Sequence, residues 1–191
     1  MRKANEKNQP WSGRRKRFKI CNDILSTEEG LACLNTHLGP NKWLFQAALH
    51  YYAAVKAAEM SFLELFQDLE KYIDNPERRW NECLRVKRGL VDTSVPGAFC
   101  KDQCYLEGAL AILIQRDEIQ DFKVLHCGRI TLSDLTRVNR VVKPNVCTPH
   151  FLVDDAQYRA RLQEIIKVNQ IPINELELPK RESLLLKPPG S

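Results

Sequence analysis

"NKWLFQAALHYYAAVKAAEM", residues Asn41 to Met60, puts apolar side chains on nearly every face of a helix, which marks a central element enclosed by others. Asn41 is the expected cap of this helix, and His50 lies within it. On the carboxyl side, "SFLELFQDLEKYI" opens with a capping box, Ser61 and Glu64, and places Phe62, Leu65, Phe66, Leu69 and Ile73 on one stripe. "DNPERRWNECLRVKRG" follows, with Asn75 as cap, Pro76 at the first helical position and Gly89 just past the end. On the amino side, "ICNDILSTEEGLACL" (Ile20 to Leu34) predicts a helix from about Thr27 to Leu38, stopped by Gly39-Pro40. Ser26-x-x-Glu29 there reads as a second capping box, so Glu29 has a purely local explanation.

Further out, the helical period fails over "GLVDTSVPGAFCKD", Gly89 to Asp102, an irregular stretch of the kind that often carries function. "KDQCYLEGALAILIQRDE" resumes a helix expected to bury Leu106, Ala109, Leu110, Leu113 and Ile114. Short pieces around 121–127 and 133–140 and a long helix from about Phe151 to Asn169 complete the pattern. No hairpin signal separates alternating runs, so the expected fold is all-α, multi-helix with irregular loops. The expected organisation is a basic extended arm at 1–25, a helical body at 26–178 and a loose tail at 179–191.

The chain has 191 residues, enough for one domain with a real core, and a net charge of +5. Residues 1–19 hold eight Lys or Arg against the single Glu6, so the basicity belongs to the arm. "GRRKRFK" (Gly13 to Lys19) could meet an acidic protein tail or nucleic acid, or could simply be solvated; no RNA- or DNA-reading motif supports specific nucleic-acid binding. The longest apolar stretch, Tyr105 to Ile114, is interrupted by Glu107 and is about half of a bilayer span, so no membrane segment is expected. The start lacks a secretory signal, and seven cysteines, an odd number, suit free thiols; a cytoplasmic location is expected.

Among candidate chemical groups, His37, His50, His126 and His150 show no i, i+4 pair for a metal, and each has a structural explanation. Cys100-x-x-x-Cys104 is a lone pair and weak evidence for zinc. No phosphate-binding glycine loop or G-x-S-x-G nucleophile motif is present.

"QPW" (Gln9 to Trp11), "TEEGLA" (Thr27 to Ala32), "MSFLELFQDLEKY" (Met60 to Tyr72), "RVKRGLVDTSVPGAFCKDQCYLEG" (Arg85 to Gly108) and "TPHFL" (Thr148 to Leu152) together resemble the microtubule-associated tyrosine carboxypeptidases, over nearly the whole chain. The resemblance implies a zinc metallopeptidase domain that removes the C-terminal tyrosine of α-tubulin on cytoskeletal microtubules. In that family a His-Glu-x-x-x-His helix supplies two zinc ligands and the general base, and the Glu of "EGLA", here Glu29, completes the metal site. A zinc ion so held, with an open position, lowers the pKa of bound water to about 7. This sequence contains no His-Glu-x-x-x-His, so the resemblance implies the C-terminal part of the peptidase domain, with zinc not bound by this chain alone and no hydrolysis by it. The expected residual substrate site comprises Lys87, Arg88 and Lys101 for the terminal carboxylate and Tyr105 as donor to an oxyanion. Arg88 is the first choice, because its fork suits a carboxylate. The alternative is a non-catalytic helical module that binds microtubules or acidic protein tails.

Overall fold

The computed structural model describes residues 2–12, 24–143 and 147–176; the Arg14 to Lys19 cluster and the tail from 179 lie outside them. Among the described residues there are helices and no strand. The α-helices are α1 (Arg2–Glu6), α2 (Ile24–Thr36), α3 (Phe45–Ala57), α4 (Phe62–Asp68), α5 (Pro76–Lys87), α6 (Cys104–Ile114), α7 (Leu135–Val138) and α8 (Asp155–Val168). Short 3-10 turns at Leu69–Lys71, Cys100–Gln103, Phe122–His126, Leu132–Asp134 and His150–Leu152 join them. None of these helices is long and apolar enough to cross a membrane.

Two apolar clusters form. One joins α2, α6 and α8 through Leu31, Leu34, Ile112, Leu113, Phe122, Tyr158 and Leu162. The other joins α3, α4 and α5 through Leu49, Ala53, Ala57, Leu65, Leu69, Cys83 and Val86. The α3 to α5 unit follows its local signals. Ser61 and Glu64 make the full capping box, and Asn75 Oδ1 accepts the Arg78 N–H at 2.9 Å with Pro76 opening α5. Gly89 sits just past α5 with φ +84°, a conformation that favours glycine.

The amino side departs from the local reading. Ser26 lies inside α2 rather than at its cap, because the helix already runs at Ile24, and a cap must stand outside the helical turn. Contact with α6 explains the position. A Cβ on Gly30 would stand 2.6 Å from the Ala109 nitrogen, and one on Gly108 would stand 2.9 Å from the Gly30 Cα. The two helices therefore touch backbone to backbone, and the glycine of "EGLA" is required by that crossing. At its other end α2 stops at Thr36, two residues earlier than expected, where Thr36 Oγ1 and His37 Nδ1 both donate to the Cys33 carbonyl at 2.7 Å.

Asn41 does not cap α3. Its side chain closes a local turn by accepting the Trp43 N–H at 3.1 Å, and α3 starts only at Phe45. The Leu44 N–H goes instead to Asn169 Oδ1 at the end of α8, 2.9 Å away and 125 positions along the chain. In α6 the buried stripe is Cys104, Gly108, Ala109, Ile112 and Leu113, so the helix is rotated from the expected one to bring Gly108 onto α2.

Residues 2–12 correct the expectation of an extended arm at 1–25. They form α1 and a following turn, packed against the body. Asn5 exchanges hydrogen bonds with both backbone groups of Cys147 (2.8 and 3.0 Å) and donates to the His126 carbonyl at 2.9 Å. Gln9 likewise brackets the Lys143 backbone, and Trp11 is buried. These amides satisfy backbone groups of His126, Lys143 and Cys147 that lie outside the α-helices.

Candidate substrate-binding site

Glu29 on α2, Arg85 on α5 and Arg88 just past its end, Phe99, Lys101 and Asp102 in the Cys100–Gln103 turn, and Cys104 and Tyr105 at the start of α6 line one open cleft of about 550 Å³. Four of the residues expected from the sequence, Glu29, Arg88, Lys101 and Tyr105, thus meet. The α2–α6 crossing sets Glu29 beside Tyr105, and the irregular stretch after α5 returns to place Asp102 against the two arginines.

Asp102 is the hinge of the electrostatics. It is 4% exposed and accepts from Arg88 Nη1 (2.9 Å), Arg88 Nη2 (3.0 Å) and Arg85 Nε (2.7 Å). Burial works to raise its pKa, but the bonds and charges of Arg88 and Arg85 outweigh it and hold the carboxyl below its ordinary value. Arg88 is further committed by its face, which lies 3.8 Å from the Phe99 ring centroid. Arg85 reaches Asp102 through Nε, and among the described residues its two terminal nitrogens have no hydrogen-bond partner. Burial lowers the pKa of Arg85, and Asp102 more than restores it. With Arg85, Arg88 and Lys101 facing Glu29 and Asp102, the cleft carries an excess of positive charge.

Lys87 is not in the cleft, which corrects its expected substrate role. It is 2% exposed, and its ammonium donates to the carbonyls of Ala57 (3.0 Å), Val95 (3.1 Å) and Met60. Helical register decides this, since two residues before it Arg85 faces the cleft, whereas Lys87 turns inward under α3 and pins the irregular stretch. Tyr105 has its pKa raised by burial and by the Glu29 and Asp102 carboxylates, which keeps its hydroxyl a donor.

Arg85 and Asp102 are the residues that sequence reasoning missed. The signal for Arg85 was present: it stands three positions before Arg88, on the same helical face.

A second groove, about 330 Å³, shares Arg85 and Tyr105 with the cleft and runs between α2 (Ala32, Cys33, Thr36, with His37) and α3 (Gln46, Ala47, His50). His50 Nδ1 lies 2.9 Å from Glu82 Oε2, and Gln46 Nε2 donates to Glu82 Oε1 at 2.9 Å. Burial tends to raise the Glu82 pKa, but His50 and Gln46 outweigh it and hold it low. His126 is 5% exposed, with no partner at Nε2, and burial together with the Arg2 charge pushes its pKa down to about 4. His150 is exposed at the start of the turn before α8.

Among the described residues the cleft brings no imidazole to Glu29; its lining sets Arg85, Arg88 and Lys101 there together with Asp102 and Cys104. Among the described residues no group of three or more His, Cys, Asp or Glu could hold a metal, and Cys100 and Cys104 gain no further ligand.

The family model of the microtubule-associated tyrosine carboxypeptidases matches residues 46–171. The chain belongs to this family. It is 41% identical over 181 residues to the putative tyrosine carboxypeptidase MATCAP2 of Mus musculus, and 41% identical over 180 residues to the microtubule-associated tyrosine carboxypeptidase 1 of Homo sapiens. Both alignments cover 92% of this chain but only 34% and 38% of those relatives, so the chain spans about a third of their length. The cleft formed by α2, α5 and α6 includes Glu29 from outside the matched segment and Arg85, Asp102 and Tyr105 from inside it.

Proposed function

We propose that this chain forms the substrate-holding part of a tyrosine carboxypeptidase, binding a peptide's terminal carboxylate at Arg85, with Arg88 and Asp102 as its support and Lys101 at the rim. One observation carries the reading: two arginines converge on a single buried carboxylate, Arg85 through Nε alone, and both line the cleft that holds Glu29. A fixed, oriented guanidinium is what a carboxypeptidase needs to register a chain end.

Tyr105 adds a neutral hydroxyl donor for charge developing on the carbonyl next to that end. Glu29 is the carboxylate that zinc would use in the complete family site. Among the described residues the cleft sets no imidazole beside it, and the role we assign to the residues gathered there is to hold the substrate. The names of the relatives point to microtubules as the partner, and we take the acidic C-terminal tail of α-tubulin, on the cytoskeleton, as the ligand.

The test is fluorescence anisotropy with a labelled acidic peptide ending in tyrosine, as free acid and as amide. The acid should bind at least about tenfold tighter, and Arg85→Met should remove that difference, as expected for one charge-assisted hydrogen-bonded contact. Equal binding of acid and amide refutes the anchor and favours a non-catalytic module that recognises only the acidic stretch.

A further inference from the structure

The groove beside the cleft has an organisation that carboxylate binding does not use. Its walls include the small side chains of α2 and α3, and two imidazoles line it: His37, whose Nδ1 donates to the Cys33 carbonyl at the end of α2, and His50, whose side chain is 11% exposed and which Glu82 holds. We propose that this groove receives the aromatic side chain of the substrate's terminal residue and that His50, held by Glu82, selects a phenol there over a plain phenyl ring.

The inference rests on the carboxylate anchor proposed above and adds a specificity-determining residue to it. Arg85 and Tyr105 belong to both hollows, so a terminal residue whose carboxylate sits on Arg85 has the groove mouth beside it. Ala32, Cys33 and Ala47 leave room for a flat ring, the largest apolar contact a terminal residue can offer.

The imidazole is fixed rather than mobile. Nδ1–H donates to Glu82, Gln46 steadies the same carboxylate, and Arg78 Nη2 donates to Gln46 Oε1 at 2.8 Å. This assigns the tautomer: in the neutral ring Nε2 is the acceptor, with the Gln46 amide 3.3 Å away and the groove before it. A phenol can donate to that nitrogen in place of the Gln46 amide, which keeps its shorter bond to Glu82, whereas beside a phenyl ring the nitrogen has only the 3.3 Å Gln46 contact, so a ligand with a hydroxyl is favoured over one without. Glu82 is a positioning residue: a buried carboxylate is costly unless its bonds are satisfied, and here they are used to orient His50.

Isothermal titration of the full chain with N-acetyl-tyrosine, N-acetyl-phenylalanine and N-acetyl-tyrosinamide tests the inference. The tyrosine acid should bind about tenfold tighter than the phenylalanine acid. His50→Gln should abolish that preference by weakening the tyrosine acid alone, and Ala32→Phe, which fills the groove from an exposed position, should weaken both acids to a common affinity and so erase the preference. If His50→Gln does not fold, the Ala32→Phe titration decides. Acids that bind better than the amide but with equal affinity for tyrosine and phenylalanine, or a preference that survives either variant, overturn the groove and leave the anchor standing. Failure of either acid to bind, or an amide that binds as well, overturns the anchor and the groove with it.

Discussion

The two apolar clusters were built by different kinds of information. Around α3, α4 and α5, most of the signals that shape the structure lie within a few residues of where they act. The Ser61–Glu64 box, Asn75, Pro76 and Gly89 stand where a reading of neighbours puts them. Around α1, α2, α6 and α8, distant partners decide. Ser26 looks like a cap and is not, Asn41 gives up its helix to Asn169, and a polar, basic amino segment packs because Asn5 and Gln9 find backbone more than 130 residues away. Local signals suffice where a helix end is solvated. Where helices touch backbone to backbone, the contact outranks the cap.

That contrast can be broken at the α2–α6 crossing, where the largest effect is expected. Gly108→Val should cost more than about 3 kcal/mol in urea denaturation, because the added atoms meet backbone that cannot move aside. A loss below 1 kcal/mol would mean that the helices can part cheaply, and the account of the "EGLA" glycine would fail.

The long-range cluster should also be the acid-sensitive one. His126 titrates at about 4 in the fold against an ordinary value of about 6.5, so between these values the unfolded chain takes a proton that the folded chain refuses. Its contribution is therefore complete above about pH 6.5 and is lost as the pH falls toward 4, on the order of 3 kcal/mol in all. Melting temperatures across this range should show the loss, and His126→Leu should flatten it; an unchanged slope would place the acid sensitivity elsewhere.

In the locally organised cluster, Lys87→Met should cost about 2 kcal/mol by leaving the carbonyls of Met60 and Val95 without the Lys87 donor and that of Ala57 with the Gly97 N–H alone. Limited proteolysis should then cut between residues 89 and 98, where the parent resists. The smallest expected effects sharpen the comparison at the caps. Asn75→Ala should lose about 1 kcal/mol, whereas Asn41→Ala, which removes only an exposed turn, should lose less than about 0.5 kcal/mol. Equal losses would mean that Asn41 caps α3 after all.

The candidate site falls on the seam between the two kinds of information, and its legibility divides accordingly. Glu29, Arg88, Lys101 and Tyr105 were readable from motifs and residue chemistry, and they share one cleft. Lys87 was misassigned because three cations close in sequence look alike until helical register separates them: Arg85 and Arg88 face the cleft, and Lys87 turns into the core. Arg85 was overlooked, although its spacing from Arg88 contained the hint. Asp102 could not have been singled out, since its role comes from the irregular stretch that folds back to set it against two arginines.

By itself the sequence determined the helical class, the family, the boundaries of α4 and α5 and the types of residue available for binding a chain end. These depend on periodicity, capping and motif order, all of which act over a few residues. Only the tertiary structure decided which cation faces the cleft, how closely α2 approaches α6, where the amino segment docks and that Glu82 holds His50 at the wall of a groove. Those outcomes turn on backbone contact and buried hydrogen bonds between residues far apart in the chain, and no local pattern encodes the partner at the other end.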